Sequence, residues 1–597
     1  MSEPAAPLPP TAEPDRFVPD SVIPHQTLPP LRYRDLPDAP HWTKMVGPSI
    51  ILAGLALGSG EFILWPYITY QSSFVFFWAC MLGVITQFFV NMEIERWTLA
   101  TGESAIVGFC RLSRHWAWVF LLMNIIPWMW PGWSTGAAQI ISWMTFGPQH
   151  TVEVPLTQPE FRQWIGDPEN TEPGPPVVFH EELAKHARLE RKNRELVWSG
   201  SLGDQDRTEL LAAGTGEKNF QEAAARLIRQ IEAAGKDNYA AVHVNLIALG
   251  TLVLVGLVLT SGPVVYNTVE RIQFVLVGLI FLIVVVLAVL VVRWDAIAAM
   301  ARGAVDFGFV PDVPGLDQMT LLGALAFAGA GGTMNLGQSN FIKDKGYAMG
   351  RYLGRITSPI TGNEETTSET GFHFEHTPEN MLRWRHWWKA ANLEHFFSFF
   401  LTCVACLVLL SLITYSLLYD SMGVHKAGMG HLGSGMNFVW GQAMILRQEF
   451  GGLGTLIQYL YLTMGVAILM TTELGVLDAT ARISTDIVKV NYLRDNPAWS
   501  QSRLYFYFLW GEIAIGAFIL LVGIKEPLTL LKTSAAMNGG VMFLYSAILL
   551  YMNMKILGRD LSPTPLRFAM LIWACAFFGY FTIHAVKDMA GFLWAHS

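Results

Sequence analysis

Residues 45–69 read Met45-VGPSIILAGLALGSGEFILWPYI-Thr69, a membrane-length apolar stretch with one carboxylate, Glu61, in its middle. A carboxylate at bilayer depth is costly unless it faces a cavity, a partner or an ion. The triplet Gly58-Ser59-Gly60 stands directly before it. Glycines at that point predict that the helix opens and that freed carbonyls and amides line a site. The combination is typical of a membrane transporter.

The composition indicates a polytopic membrane protein. Of the 597 residues, 52% are hydrophobic and only 15% are charged, whereas soluble proteins carry roughly 25% charged residues. A bilayer-spanning helix needs about 20 residues, and eleven apolar runs reach that length. They cover residues 46–69, 73–95, 115–146, 243–263, 269–292, 318–342, 395–419, 454–477, 504–523, 527–552 and 566–588. The third run is rich in Trp and Pro, which predicts a kinked or tilted helix.

The distribution of Lys and Arg predicts a cytoplasmic N-terminus. Basic residues concentrate in cytoplasmic loops, and the loop 343–394 alone holds seven of them. That loop follows an even-numbered span, so it shares a side with the N-terminal tail. We therefore expect an integral protein of a bacterial-type inner (plasma) membrane, with the N-terminus inside and the C-terminus outside.

The eleven runs and the segments between them define the expected domains. A hydrophilic insert follows the third run, and two of its stretches, His180–Leu196 and Lys218–Ala234, are charged and amphipathic, which predicts helices. Its role is left open between a cap or partner surface and a gating element. The division is as follows: a disordered cytoplasmic tail at 1–44, spans 1–3 at 45–146, an extracytoplasmic helical insert at 147–242, spans 4–5 at 243–292, spans 6–10 at 293–552, and span 11 with the C-terminus at 553–597.

Eleven spans divide into five plus five plus one, which pairs span 1 with span 6. Span 6 also carries a glycine-rich break, in the sequence FAGAGGTMNLGQSN that contains Gly331 and Gly332. Interrupted helices at matching positions of two halves are the best sequence indication of a binding site near the bilayer midplane.

Several residues after this second break are candidate ligands. Asn335 supplies an amide oxygen and Met334 a soft thioether, whereas carboxylates such as Glu61 bind hard or borderline divalent cations. These three are the predicted metal ligands, although a lone Met in a membrane helix more often packs. The predicted substrate-binding residues are Gly58, Ser59, Gly60, Glu61, Gly331, Gly332, Thr333, Asn335 and Gln338.

Two further features stand in later spans. Glu473, in span 8, follows Thr471 and Thr472 and is predicted to bind the coupling ion or a proton. Cys403 and Cys406 form a C-x-x-C in span 7. In a soluble protein this motif suggests redox or zinc chemistry, but inside a spanning helix the two thiols merely share a face.

The segment Gly47-Pro48-Ser49 to Glu61 resembles the first helix of the Nramp (natural resistance-associated macrophage protein) family of divalent-metal transporters. That helix opens with Gly-Pro-Gly and carries Asp-Pro-Gly-Asn at its break. Thr101-Gly102 after span 2 is similar to the Thr-Gly of the family. The Asp, Pro, Gly and Asn of the family motif fall on Gly58, Ser59, Gly60 and Glu61.

The chain departs from this family at its metal site. The metal-binding aspartate is absent, and the family's Met-Pro-His-Asn appears only as Thr333-Met334-Asn335-Leu336. The stretch 134–139 stands where the family has an acidic pair for proton movement. Glu61 lies three residues after the lost aspartate, close to one helical turn, and is expected to replace it.

A rival resemblance uses the same residues. Gly58-Ser59-Gly60-Glu61-Phe62 is similar to the Gly-Ser-Gly-Ile-Phe of amino-acid transporters in the wider amino acid-polyamine-organocation superfamily. Helix amides hold a substrate carboxylate there, which Glu61 would repel, so that resemblance implies an amine-bearing substrate. Both resemblances imply the same LeuT-like five-plus-five inverted-repeat fold.

The sequence thus predicts an all-α polytopic membrane protein of LeuT-like fold with an eleventh helix. We expect a secondary transporter of divalent metal ions that works by alternating access between spans 1 and 6. An amino-acid or organic-amine transporter and a transport-inactive sensor remain alternatives. No H-E-x-x-H, Ser/His pair or phosphate loop occurs in the spans, so an enzyme is not expected. The expected partners are the lipid bilayer and a small ion or small molecule; we expect no nucleic acid and no permanently bound cofactor, and the sequence leaves the oligomeric state open.

Overall fold

The computed structural model describes residues 16–26, 28–155, 188–192, 195–199, 236–311, 313, 316, 318–358, 370–426, 429, 432, 435–523 and 527–595. It forms two compact units. One comprises residues 1–138, 245–416 and 463–597, and the other comprises 139–244 and 417–462.

Each of the eleven apolar runs is helical, and in the described part of the chain nine helices are long and apolar enough to cross a membrane. Spans 3 and 6 instead consist of two shorter helices each. The spans, numbered as above, are Pro48–Ser72, Phe77–Thr101, His115–Trp128 with Gly132–Phe146, Val244–Ser261, Val265–Val291, Gln318–Ala326 with Gly332–Lys345, Pro378–Leu418, Gly454–Asn491, Gln501–Val522, Pro527–Lys555 and Pro565–Ala595. Shorter helices are Ala105–Leu112, Trp294–Val305, Asn437–Glu449 and Gly558–Leu561, and 3-10 turns are Trp42–Lys44, Ala348–Tyr352 and Gly451–Leu453.

Span 3 is interrupted where its Trp and Pro residues cluster. Its first helix ends at Trp128, one residue after Pro127, and the second begins at Gly132 after Pro131. Proline has no N–H and disfavours helical geometry in the residue before it. The predicted distortion of this span is therefore a full break.

Span 1 is wound throughout, and the prediction that it opens is wrong. An α-helix over Pro48–Ala56 passes into a π-helix over Leu57–Leu64 and returns to an α-helix over Trp65–Ser72. π segments are rare and occur often at functional sites. The glycines of the triplet widen the helical turn rather than unwinding it.

The N-terminal segment packs against the rest of the chain over 16–26 and 28–44, so the predicted disorder of the tail at 1–44 is wrong for these residues. Val18, Leu31 and Leu36 are all buried. Strand β1 (Arg32–Tyr33) pairs in parallel with β6 (Phe372–His373). Trp387 of span 7 donates its indole N–H to the carbonyl of Pro37, at 2.7 Å.

The described part of the insert is β-sheet, so the helical prediction for it is wrong. Strands β2 (Gln149–Pro155), β3 (Arg188–Lys192), β4 (Glu195–Ser199) and β5 (Lys236–Ala240) form an antiparallel sheet in the order β3-β4-β2-β5. β3 and the start of β4 fall inside the predicted helix His180–Leu196. The second predicted helix, Lys218–Ala234, lies outside the described residues.

The sheet belongs to the second unit, where it contacts helix Asn437–Glu449. The backbone N–H of Tyr239 donates to the side-chain oxygen of Asn437, at 3.1 Å. Trp143 donates its indole N–H to the carbonyl of Tyr239, at 3.1 Å, and its ring centre lies 5.7 Å from that of Trp440, with the two planes tilted. These contacts fix the edge strand β5 within its unit.

Candidate functional site

Glu61 lies in the π segment of span 1 and is completely buried. Among the described residues, neither of its carboxylate oxygens has a partner at regular hydrogen-bond geometry, and the carboxylate interacts with its own backbone and with the Cys403 thiol. A buried charge without a partner is strongly unfavourable, so this carboxylate requires a cation or a proton. The carboxylate therefore lies inside the protein and not at its surface.

The π segment frees the backbone amide of Gly58, and span 8 satisfies it. The Gly58 N–H donates to the Thr472 hydroxyl oxygen at 2.9 Å, and that hydroxyl donates to the Gly54 carbonyl at 3.1 Å. A Cβ at Gly58 would lie 2.3 Å from the Thr472 oxygen. Gly58 is therefore a helix-packing residue, and its amide is already engaged. Ser59 lies between these contacts in the same π segment.

Gly60 packs directly against the break in span 6. A Cβ at this position would lie 1.5 Å from the carbonyl oxygen of Phe327. Only glycine permits such a close approach of two backbones. The residue before the buried acid therefore touches the interrupted part of span 6, as the pairing of spans 1 and 6 predicted.

The break in span 6 covers residues 327–331, as its glycines predicted. Gly329 has φ of 130° and Gly331 has φ of 74°, both in the region that favours glycine. The second helix starts at Gly332, where a Cβ would meet the side chain of Asn538. The break is thus a fixed loop rather than a bent helix.

Gln87 of span 2 binds three of the backbone groups at this break. Its amide nitrogen donates to the carbonyls of Ala326, at 2.8 Å, and Ala328, at 3.0 Å. Its side-chain oxygen accepts from the N–H of Gly331, at 3.2 Å. The sequence analysis missed Gln87, although a glutamine in an apolar span is a detectable signal.

The residues after the break are all buried but point to different partners. Thr333 accepts a hydrogen bond from the indole of Trp128, at 2.8 Å. Asn335 donates to Gln87, at 3.3 Å, and to the Tyr545 hydroxyl, at 3.1 Å, while its own oxygen has no partner. Asn335 and Glu61 thus each keep an unpartnered oxygen but share no hydrogen bond.

Met334 and Gln338 also lie in the second helix of span 6. Met334 is fully buried in the second helix of span 6. Gln338 lies one turn beyond Asn335 and contacts Glu95 and His395.

Three cysteine thiols interact with the charge of Glu61. The thiol of Cys403 in span 7 interacts with its carboxylate, and the thiols of Cys406 and Cys80 also experience its charge. All three cysteines are free and buried. Cys403 lies just beyond a second π segment, Phe396–Leu401. The C-x-x-C therefore supplies soft sulfur atoms near the acid, not a disulfide.

Glu473 is buried and stands next to Thr472, which holds span 1. One of its carboxylate oxygens has no partner. It lies beside Ser134, in the second helix of span 3, and interacts electrostatically with Glu512 of span 9. Two buried acids, one in span 8 and one in span 9, thus act on each other beside the second helix of span 3.

Aromatic rings cover the break from the side of span 3. Trp128 stacks on Phe327 with ring centres 5.6 Å apart and on Trp133 at 5.5 Å. These rings exclude water and present electron-rich faces, which attract cations.

A preformed cluster of acidic or sulfur ligands is not seen. Within the described ranges, no three His, Cys, Asp or Glu side chains are grouped so that they could hold a metal ion. A cation at Glu61 would therefore need neutral donors as its other ligands.

The fold matches that of a known transporter. Crystal structures of a manganese transporter from Eremococcus coleocola superpose with a TM-score of 0.55 at 10% identity, and the match covers 94% of this chain and 90% of theirs. A structure of that transporter with an aromatic bis-isothiourea compound gives 0.53 and 11% over the same shares. No protein-family model matches the sequence, and the curated proteins contain no match. The predicted LeuT-like all-α fold is confirmed. The resemblance to the Nramp family is confirmed at the level of the fold.

Proposed function

We propose that this integral membrane protein is a secondary active transporter of a divalent metal ion. The observation that carries the proposal is Glu61, a fully buried carboxylate with no partner at regular hydrogen-bond geometry that stands beside the contact between Gly60 and the span 6 break. The fold shared with a manganese transporter supports it. We place the protein in an inner (plasma) membrane with a cytoplasmic N-terminus, on the distribution of Lys and Arg.

The proposed metal site combines one carboxylate with neutral donors. Glu61 supplies the negative charge, the free oxygen of Asn335 is a second oxygen ligand, and Met334 is a candidate sulfur ligand. Backbone carbonyls of the break supply the remaining ligands once their hydrogen bonds to Gln87 are broken. A cation so bound neutralises the buried charge of Glu61, which gives the loaded state its stability.

We propose that transport proceeds by alternating access, and the difference between spans 1 and 6 supports this proposal. Span 6 is broken and its loop is held by hydrogen bonds and ring packing, whereas span 1 is continuous but contains a π segment. Rocking of one helix group against the other at the Gly60–Phe327 contact would open the site to each side in turn. Glu473, paired with Glu512, is the proposed site of the coupling ion.

An organic-amine substrate is the second candidate, because of one observation. The stacked rings of Trp128, Trp133 and Phe327 resemble the aromatic surfaces that bind substituted ammonium groups. An acid next to such rings suits an amine as well as a metal ion. A third alternative, a sensor without transport, predicts binding but no uptake.

A thermal-shift screen of the purified protein distinguishes these possibilities. Ligand binding raises the apparent melting temperature by mass action. We expect stabilisation by Mn²⁺ or another divalent ion, loss of that stabilisation in Glu61→Gln, and uptake of the ion into proteoliposomes by the wild type only. Stabilisation by amines in place of metal ions would favour the second candidate.

The control is Glu379→Gln, which also neutralises an acid in a span but at an exposed position outside every proposed site. It should retain the metal-induced shift. Equal stabilisation of wild type and Glu61→Gln by the same ion would exclude Glu61 as a ligand, and binding without any uptake would favour the sensor.

A further inference from the structure

A line of buried polar residues follows one face of span 2. Its members are Gln87, Asn91, Glu95 and Thr98, and each of them is at most 1% exposed. Because an α-helix turns by about 100° per residue, these four side chains leave the helix within an arc of about 80°. An apolar span thus carries a continuous polar stripe that is hidden from lipid and water.

The stripe faces the second helix of span 6. Near the break, Gln87 accepts from Asn335 at 3.3 Å. About two turns further along, Oε2 of Glu95 accepts from Nε2 of Gln338, also at 3.3 Å. Asn91 lies one turn from each of these contacts and therefore faces span 6 as well. Glu95 lies eight residues after Gln87, or about 12 Å along the helix, which separates this second contact from the break.

Four oxygen atoms around Glu95 have no hydrogen-bond partner among the described residues. They are Oε1 of Glu95, Oδ1 of Asn91, Oγ1 of Thr98 and Oε1 of Gln338. Buried polar atoms are nearly always hydrogen-bonded, so a group of exceptions calls for an ion or water that binds them. Three of these side chains belong to successive turns of span 2, and the fourth contacts Glu95 directly.

The charge of Glu95 is not balanced by a base within the described part of the chain. Glu93, two residues earlier, has Arg96 at 2.7 Å and Arg567 at 3.3 Å. Arg567 acts on Glu95 only from a distance. The imidazole of His395 contacts Gln338, at 3.0 Å, rather than Glu95. An isolated buried carboxylate is strongly unfavourable, so Glu95 requires a cation or a proton.

The neighbouring acid Glu394 is satisfied in a different way. It accepts from the backbone N–H of Gly47, at 3.4 Å, and from the hydroxyl of Ser49. Glu95 receives only the single contact from Gln338. The unbalanced charge of this region therefore lies on Glu95, beside the unpartnered oxygens.

The ligands available at Glu95 are one carboxylate and several neutral oxygens. Oxygen ligands of this kind suit hard cations, whereas soft ions prefer sulfur. One negative charge balances a monovalent ion, but a divalent ion would leave an excess positive charge in buried surroundings. Across the described ranges, no three His, Cys, Asp or Glu side chains are grouped to hold a metal ion, which fits a site with a single acidic ligand.

We infer that Glu95, Asn91, Thr98 and Gln338 form a second cation site, which binds an alkali-metal ion such as Na⁺. Glu95 supplies the charge, and the amide and hydroxyl oxygens are the neutral ligands. A water molecule on the ion satisfies Nδ2 of Asn91, which also has no partner among the described residues. The bound ion joins span 2 to the second helix of span 6. This site goes beyond the proposed function, because it does not require a metal ion at Glu61.

Thermal unfolding of the purified protein at constant ionic strength tests this site. LiCl, NaCl or KCl replaces N-methylglucamine chloride stepwise, because that organic cation is too large for a closed site. Ion binding raises the melting temperature in proportion to the logarithm of the ion concentration. We expect at least one alkali ion to stabilise the wild type in this way.

Two variants change the site in different ways. Glu95→Gln matches the size of glutamate and should lose the alkali dependence. In N-methylglucamine chloride it should melt no lower than the wild type, because it removes the unbalanced charge. Asn91→Leu keeps the charge but removes one oxygen ligand, so it should need a higher alkali concentration for the same rise in melting temperature.

Two controls separate this site from the rest of the molecule. Glu379→Gln, at an exposed position in span 7, should keep the full alkali dependence. Glu61→Gln should also keep it while losing stabilisation by divalent ions, so failure of the proposed function would not affect this result. Equal alkali dependence in the wild type and Glu95→Gln would overturn the inference. A wild type that responds to no alkali ion would also overturn it, since that is the behaviour of a protonated Glu95 beside water.

Discussion

Gly60 sets how closely span 1 approaches the break in span 6. The hydrogen atom that serves as its side chain leaves room for the carbonyl of Phe327, which a methyl group would strike at 1.5 Å. Its neighbour Glu61 is held at the same level, inside the π segment. The position of Glu61 relative to the break therefore depends on Gly60, whose side chain has no functional group.

We expect Gly60→Ala to destabilise the protein and abolish metal-induced stabilisation. The added methyl group would clash with backbone, which cannot move as a side chain can. The free energy of unfolding should therefore fall by at least the roughly 1–3 kcal/mol typical of overpacking. Thermal unfolding with and without a divalent ion measures both effects. Gly278→Ala in span 5 is the control, since a Cβ there meets nothing within 4 Å. Equal melting and binding in the two variants would contradict this role.

Short elements outside the spans hold the ends of several helices together. The two-residue strands β1 and β6 pair in parallel, and His373 in β6 contacts the carbonyl of Ala100 through Nδ1, at 3.0 Å. His373 thus links the N-terminal segment to the end of span 2. Burial lowers the pKa of His373 to about 4, and His376 nearby adds a smaller effect in the same direction.

Because of His373, we expect the protein to become less stable as the pH decreases. Between about pH 6.5 and 4, the unfolded chain binds a proton at His373 that the folded chain does not, so folding becomes less favourable as pH decreases. The loss at pH 5 relative to pH 7.5 should be on the order of 2 kcal/mol, at about 1.4 kcal/mol per pKa unit. His373→Asn keeps a donor at the position of Nδ1 and should reduce this part of the pH dependence. Melting curves across this pH range, with exposed His386→Asn as control, measure it; identical pH profiles for wild type and His373→Asn would contradict it.

Buried ion pairs connect the helices of the larger unit. Arg482 of span 8 contacts Asp344, at the end of span 6, and Asp478, at 2.8 Å. The Tyr505 hydroxyl of span 9 donates to Asp478, at 2.6 Å. Buried pairs of this kind add little net stability but fix which helices meet, because each charge is acceptable only beside its partner.

Arg482→Met should therefore be strongly destabilising. It leaves two carboxylates buried without their cation, a loss of about 3–5 kcal/mol for comparable buried pairs. We expect aggregation or a large fall in melting temperature, measured by size-exclusion chromatography and thermal unfolding. Adding Asp344→Asn and Asp478→Asn to this variant should restore much of the melting temperature. These two changes remove the buried charges that have lost their cation. Exposed Arg503→Met is the control; a stable single variant would show that the network is dispensable.

The sequence by itself determined the features that depend on local chemistry. Hydropathy located the eleven spans, because each segment must satisfy its own backbone in lipid. Glycines located the break at 327–331, since positive φ angles are accessible to them. Glu61 could be recognised as buried because its neighbours in the chain are apolar on both sides.

Only the tertiary structure decided what those features contact. The triplet 58–60 winds as a π segment because Thr472 receives the freed amide and Phe327 fills the space beside Gly60. Gln87 closes the break with hydrogen bonds from another helix, and β1 in the N-terminal segment pairs with β6, which lies far along the chain. Such partners are separated by hundreds of residues, so their hydrogen bonds exist only after the helices pack. A linear pattern of polarity therefore shows that a polar group is buried, but not which group satisfies it.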